Sequence, residues 1–267
     1  ENLFPGASVV FCGIKSYKKK IREARLTGVI EAVDIRSNVV LAMDFNPDLK
    51  TIFVVSDNTP ASITLILPLI QVMKEFSSEI EFKFNEFLPI EDLQNTLKNL
   101  APDTAVLLIN YTRDKNGRIL SMDESARLIT SSSPVPVYTL WDSYMGMGIL
   151  GGKLVSGFTQ GEAAAKIALM VLNGESTEEI HVQSSLPSQY IFDYQKLKQF
   201  KIKDSKVPVN SQIYNLPRTF YRQYKNLIIT VTIGGVLLSL IIVVLSINMM
   251  HRRRVEKALK KYSSQLD

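Results

Sequence analysis

The sequence predicts an α/β fold with parallel sheets, carried on one transmembrane helix. Three observations predict it. Short apolar runs alternate with helical stretches along most of the chain. Those runs are continuous rather than alternating, as strands covered on both faces of a parallel sheet are. The third is Leu227 to Met250, LIITVTIGGVLLSLIIVVLSINMM, which contains no ionisable side chain.

The elements follow in order. Ser8 to Gly13 (SVVFCG) reads as a buried strand, followed by a polar, Lys-rich connection from Ile14 to Arg25. An extended piece, TGVIEAV, lies within Leu26 to Val33. Asp34 is placed to cap a helix from Ile35 to Phe45, with Ile35, Val39, Ala42 and Met43 on one face. Thr51 to Val55 is then a strand, Ala61 to Phe76 a largely buried helix, and Ile80 to Phe84 a strand. Ile90 to Leu100 is a helix with Leu93, Leu97 and Leu100 inward, and Ala105 to Asn110 a strand. Ser121 and Glu124 form a capping box opening a helix to about Ser131. Val135 to Leu140 is a strand. Met145 to Gly157 is glycine-rich and contains the strand-like KLVSG. Gln160 to Gly174 is a helix with Gly174 at its C-cap, and Tyr190 to Phe200 is a strand-to-helix unit. Lys201 to Pro217 reads as an irregular linker.

A spanning helix needs roughly 20 apolar residues at about 1.5 Å each, and Leu227 to Met250 is long enough. Arg252, Arg253, Arg254, Lys257, Lys260 and Lys261 follow it closely, against Arg218, Arg222 and Lys225 before it. The denser basic flank places the residues after His251 in the cytoplasm and the main domain outside. The expected location is a bacterial cytoplasmic membrane, crossed once, with the N-terminal domain periplasmic or extracellular.

The chain has 267 residues, 46% hydrophobic and 21% charged, with net charge +5. The basic excess concentrates at the span and in Lys15 to Arg25. No basic stripe interleaved with aromatics is present, which argues against nucleic acid as a partner. Cys12 is the single cysteine, so no internal disulfide and no cysteine metal site can form. Glu1 is not a start methionine and the tail stops inside a helical pattern, so a piece of a longer protein is expected.

Catalytic patterns fail on context. Gly146-x-Gly148-x-x-Gly151 has the letters of a dinucleotide fingerprint, but it falls late in the alternation and the helix does not begin at its third glycine. The stretch reads instead as a flexible crossover. Ser16-x-x-Lys19 lies in a solvated basic run with no second motif. His181 and His251 are the only histidines, too few for a histidine metal cluster. No catalytic residues, metal or cofactor are assigned.

What recurs is polar residues at the carboxyl ends of strands, where open α/β sheets bind ligands. The candidate ligand-binding residues are Ser16, Ser56, Asp57, Asn85, Tyr111, Arg113, Trp141, Asp142 and Tyr144. For Asp57 a role as turn former competes with ligand contact.

The segment VYTLWDSYMGMGILGGKLVSGFTQGEAAAKIALMVLNGE resembles the late part of a type I periplasmic binding protein, in the substrate-binding branch of ABC transporters. VVFCG, TGVIE and KTIFVVSDNT fit the same family in the same order, so the resemblance runs from about Ser8 to Ile202. It implies two Rossmann-like lobes closing on a small-molecule ligand, with the first strands of lobe one missing. Thr51 to Leu140 would be mostly lobe two, and Gln160 to Gly174 would return to lobe one.

The continuation into a span and a basic helix resembles the sensory inputs of bacterial histidine kinases and diguanylate cyclases. Val255, Leu259, Tyr262 and Leu266 are spaced four, three, four, as in a parallel coiled-coil seam. The expected organisation is a periplasmic ligand-binding domain at 1–203, a juxtamembrane linker at 204–226, the span at 227–250 and the start of a signalling coiled coil at 251–267. The leading functional expectation is ligand sensing for a two-component histidine kinase, as a homodimer through the span and coiled coil. The alternative is a membrane-tethered substrate-binding component of an ABC transporter.

Overall fold

The computed structural model describes residues 6–15, 25–183, 188–217 and 220–263. The chain divides into two compact units, Glu1–Leu216 and Pro217–Asp267.

The first unit is built on two sheets. β1 (Val9–Ile14) and β2 (Leu26–Ile30) pair in parallel as a two-stranded sheet. The larger sheet has seven strands: β3 (Thr51–Ser56), β4 (Glu81–Phe84), β5 (Thr104–Asn110), β6 (Val137–Thr139), β7 (Gly151–Leu154), β8 (Gln189–Asp193) and β9 (Gln212–Tyr214). Their spatial order is β4-β3-β5-β6-β7-β8-β9. All neighbours run parallel except β7 and β8. This is the α/β fold with a parallel-dominated sheet that the apolar runs predict.

Successive side chains of a strand point to opposite faces, and β3 shows the result. Ile52 and Val54 join one core with Leu107, Phe192 and helices α1 (Ile35–Phe45), α3 (Ile66–Glu75) and α7 (Tyr194–Gln199). Phe53 and Val55 join the other with Leu108, Val137 and helices α4 (Ile90–Lys98) and α5 (Met122–Ser132). Both predicted caps form. The Asp34 carboxylate accepts the Ser37 N–H at 2.9 Å, and the Ser121 hydroxyl accepts the Glu124 N–H at 3.1 Å. Helix α6 (Gly157–Leu172) covers the small sheet, packing Ile167, Ala163 and Ala164 against Val29 and Val10.

Four expectations differ from the structure. β1 is largely exposed, Val9 by 47%, because among the described residues it pairs only with β2 in a two-stranded sheet, although α6 packs against Val10. The helix expected over Ala61 to Phe76 is broken into α2 (Pro60–Ile63) and α3. Pro68 has no N–H to offer the Thr64 carbonyl, so the helix cannot continue through that turn. It is also far from buried: Ile63 is 53% exposed, Ile66 48% and Leu67 73%. The third difference is β9, which turns part of the expected linker into an edge strand, with Ile213 packing on the main core.

The glycine-rich stretch is packed rather than loose. A Cβ on Gly151 (φ +126°) would lie 2.0 Å from the Ile191 carbonyl oxygen, and one on Gly148 would lie 2.5 Å from the Thr130 hydroxyl. Glycine lets β7 approach β8 and α5 at distances no side chain permits.

The second unit holds α8 (Phe220–Ser263), with a non-helical residue at Tyr224. Tyr224–Val255 is long and apolar enough to cross a membrane, at 32 residues. Thr230, Thr232 and Ser239 return their hydroxyls to carbonyls one turn back, at 2.8–2.9 Å, which satisfies them without a partner. Leu266 of the expected seam lies outside the described residues.

Candidate functional site

The carboxyl ends of β3, β5 and β6 meet in one polar network whose hub is Asp57, 6% exposed. Its Oδ1 accepts from the Thr59 N–H at 3.1 Å, the Thr59 hydroxyl at 2.6 Å and the Ser62 hydroxyl at 2.7 Å. Its Oδ2 accepts from Thr112 N–H at 2.8 Å, the Thr112 hydroxyl at 3.0 Å and the Asn110 amide at 3.0 Å. Burial alone would raise the Asp57 pKa, but hydrogen bonds from Thr59, Ser62 and Thr112 outweigh it and hold the carboxyl below its ordinary value. With all four lone pairs engaged, Asp57 fixes the β3–α2 turn to the end of β5 and offers a ligand little.

Tyr144, in a 3-10 turn at Asp142–Tyr144, extends this network by donating to Asn110 Oδ1 at 3.3 Å. Burial and the nearby Asp57 charge push its phenol up to about 12. Tyr111 is fully buried in the α4–α5 core, its hydroxyl donating to the Leu88 carbonyl. Burial, foremost, raises its pKa well above the usual tyrosine value. Asn85 is 3% exposed and accepts the Ser56 N–H at 3.1 Å, while its Nδ2 is buried without a partner. Arg113 is exposed in a hairpin that bridges to Ile119. Ser16 lies outside the described residues. The candidates therefore separate: Ser56, Asp57, Asn85, Tyr111 and Tyr144 are engaged in internal structure, and Trp141 and Asp142 belong to a half-buried cluster of contacts.

That cluster lies where the small sheet meets the large one. Trp141 follows β6 and bridges to Val155 just after β7. Its indole N–H donates to the carboxylate of Glu31, which directly follows β2. Lys15, at the end of β1, places its ammonium 4.6 Å from the centroid of the Trp141 ring and donates to the Ala61 carbonyl at 2.9 Å. Asp142 accepts the Gly157 N–H at 3.3 Å, tying the cluster to the start of α6. Burial pulls the Lys15 pKa below its ordinary value, opposed by the charges of Glu31 and Asp57. Trp141, Asp142, Glu31 and Lys15 are each half-buried, so the cluster presents an aromatic face and both signs of charge.

Lys15 and Glu31 are the residues that sequence reasoning missed. Each stands at a strand's carboxyl end, which was the available signal. Lys15 was absorbed into the adjoining lysine-rich run, and Glu31 into the extended piece. Among the described residues no group of three or more His, Cys, Asp or Glu side chains could hold a metal. A separate open groove of about 590 Å³ lies beside the start of α1, lined by Asp34, Arg36, Gln71 and Lys153 among others. There Lys153 and Asp34 pair with each other at 2.6 Å.

Comparisons with known proteins agree with this architecture. No curated protein matches the sequence. One similar solved structure is the ligand-free, open form of CD0873, a substrate binding protein with adhesive properties from Clostridium difficile. It shows 17% identity and a TM-score of 0.54, over 72% of this chain and 63% of that one. Another is the ABC domain in complex with L-Trp from Streptococcus pneumonia, at 15% identity and a TM-score of 0.54, over 71% of this chain and 63% of that one. A conserved domain protein from Vibrio cholerae is similar at 15% identity and a TM-score of 0.52, over 71% and 63%. At these identities the likeness is one of fold, and this chain spans 63% of the length of each of the three. In sequence, residues 9–210 match the ABC transporter substrate binding protein family. That match covers most of the chain, and the chain belongs to this family.

Proposed function

We propose that the chain binds a small organic molecule in the crevice around Trp141, as the membrane-tethered substrate-binding component of an ABC transporter. The observation that carries this reading is the convergence of Lys15, Glu31 and Trp141 from three strand ends onto one half-buried indole. The family membership supports it, and so does the likeness in fold to a structure in complex with L-Trp. On this reading α8 crosses the cytoplasmic membrane once, the ligand domain is extracytoplasmic, and residues after His251 are cytoplasmic. Asp142 would border the ligand, with Asp57 holding the wall behind it.

Trp141 is the only tryptophan, so its fluorescence reports on this crevice alone. The test is to screen amino acids, amines and organic acids against the full chain in neutral detergent. A ligand that shifts Trp141 emission and raises the melting temperature of the wild type, but leaves the melting temperature of Trp141→Phe unchanged, supports the reading. A ligand that stabilises the wild type and Trp141→Phe equally places binding elsewhere and refutes it.

A second reading, sensory input to a histidine kinase, is favoured by one observation. The helix continues from Met250 through the basic cluster to Ser263, where a tether would need no ordered extension. Sequence downstream of Asp267 encoding a phospho-acceptor helix and an ATP-binding region would establish it. Disulfide crosslinking of cysteines placed at Leu259 and Leu266 would test the homodimer it requires.

A further inference from the structure

The crevice holds an ammonium already, and it belongs to the protein. Lys15 Nζ lies over the Trp141 ring at cation–π distance, where a desolvated contact gains most. The indole N–H donates to Glu31, which enriches the ring in electron density and strengthens its attraction for a cation. The charges acting on Lys15 are Glu31 and Asp57, both negative, and Asp142 follows Trp141 in sequence. Arg113, a cation beyond the end of β5, is exposed in its hairpin. An aromatic face with carboxylates around it recognises organic cations and repels anions. For an anionic ligand Lys15 would have to serve as anchor, yet its ammonium is engaged by the Ala61 carbonyl and the indole.

We propose that the crevice takes an organic cation, an amine or quaternary ammonium, and that Lys15 is a tethered competitor that the ligand displaces from the face of Trp141. The inference rests on the reading of the crevice as the ligand site. It makes Lys15 a latch as well. Its two contacts join the end of the small sheet to α2 and to the residue after β6, and an arriving ligand would release both.

The experiment uses the full chain in neutral detergent, with tetramethylammonium and n-butylamine as cation probes and propionate as the anion probe, read by Trp141 fluorescence. Lys15→Met keeps the aliphatic stem and removes the charge, and Lys15→Gln is a second variant should the first fail to fold. Loss of the internal competitor is expected to tighten binding of the cation probes about tenfold. Glu31→Gln is expected to weaken it by a similar factor. Cation binding no tighter in either lysine variant overturns the proposal. Propionate binding that is present in the wild type and lost in Lys15→Met also overturns it, while leaving the crevice as a ligand site. No response to any probe in any variant counts against both the proposal and the crevice reading.

Discussion

Replacing Asp57 separates a structural carboxylate from a ligand-binding one. Two of its six donors are backbone N–H groups, Thr59 on Oδ1 and Thr112 on Oδ2. The hydroxyls of Thr59, Ser62 and Thr112 can rotate toward other acceptors, but the two N–H groups cannot. Asp57→Ala orphans both, at about 1–3 kcal/mol each, and removes the charge that strengthened the other bonds, so about 3–5 kcal/mol is expected. Asp57→Asn is instructive because flipping the amide does not help. Either orientation points its NH2 at one backbone N–H, and about 2–4 kcal/mol should be lost. For a domain of about 200 residues that lowers the melting temperature by roughly 5–15 °C. Trp141 fluorescence in detergent follows this transition. The pH dependence carries a sign as well. A carboxyl held below its ordinary value stabilises the fold above the unfolded carboxylate pKa, near 3.9. That contribution is lost as pH falls through the lower folded value. The wild type should therefore lose stability on acidification more steeply than Asp57→Asn. An Asp57→Asn chain that melts within about a degree of wild type, with an unchanged acid profile, refutes the structural role. Loss of ligand binding alone would then return Asp57 to the ligand.

Gly151→Ala should destabilise by about 3 kcal/mol or more, since its Cβ would meet the Ile191 carbonyl at 2.0 Å at a φ of +126°; faster amide exchange along β8 would show it. Lys153→Met removes a bridge to Asp34 whose side chains are 27% and 31% exposed, and about 1 kcal/mol is expected after solvent screening. The hydrogen bond to Asp34 raises the Lys153 pKa, so this contribution is present at neutral pH and lost as pH rises through the raised value; melting curves at neutral and strongly alkaline pH test it. Leu240→Arg, within the apolar stretch of α8, should cost about 2.5–3.5 kcal/mol of membrane insertion. It should increase the fraction released by alkaline carbonate extraction, and unchanged retention would count against the span.

Local chemistry was the most legible part of the fold. Asp34 and Ser121 each had the residue type, the spacing and the apolar periodicity pointing the same way, and both caps form. The break before α3 was missed because Pro68 sits inside a run whose apolar character reads as one helix. β9 was missed because three residues carry too little pattern to outweigh a linker-like composition; its place is set by β8, some twenty residues away. In the candidate site, the strand-end rule picked out Trp141 and Asp142 along with side chains that are engaged in internal structure. It could not tell a carboxylate with spare lone pairs from one already saturated, which is the difference between Asp142 and Asp57. Nor could it pair Trp141 with Glu31, 110 residues away in sequence. That contact follows from how two sheets meet.

The edge strand β9 has a mechanical consequence. The chain passes from Tyr214 toward α8 within a few residues, so if α8 is set in a membrane, load on it enters the first unit through Gln212–Tyr214. From there it crosses β8 and β7 and arrives at Val155, which bridges to Trp141. The path is short, and its first link is brief: three residues in register with Ile191, Phe192 and Asp193, pinned at the end by Asn215 donating to Asp193 at 2.6 Å. Such a link behaves as a fuse. While β9 stays paired, a pull on the chain beyond Tyr214 would be carried into β8 and β7; once it unzips, the same pull would be taken up by slack chain and would not reach Val155.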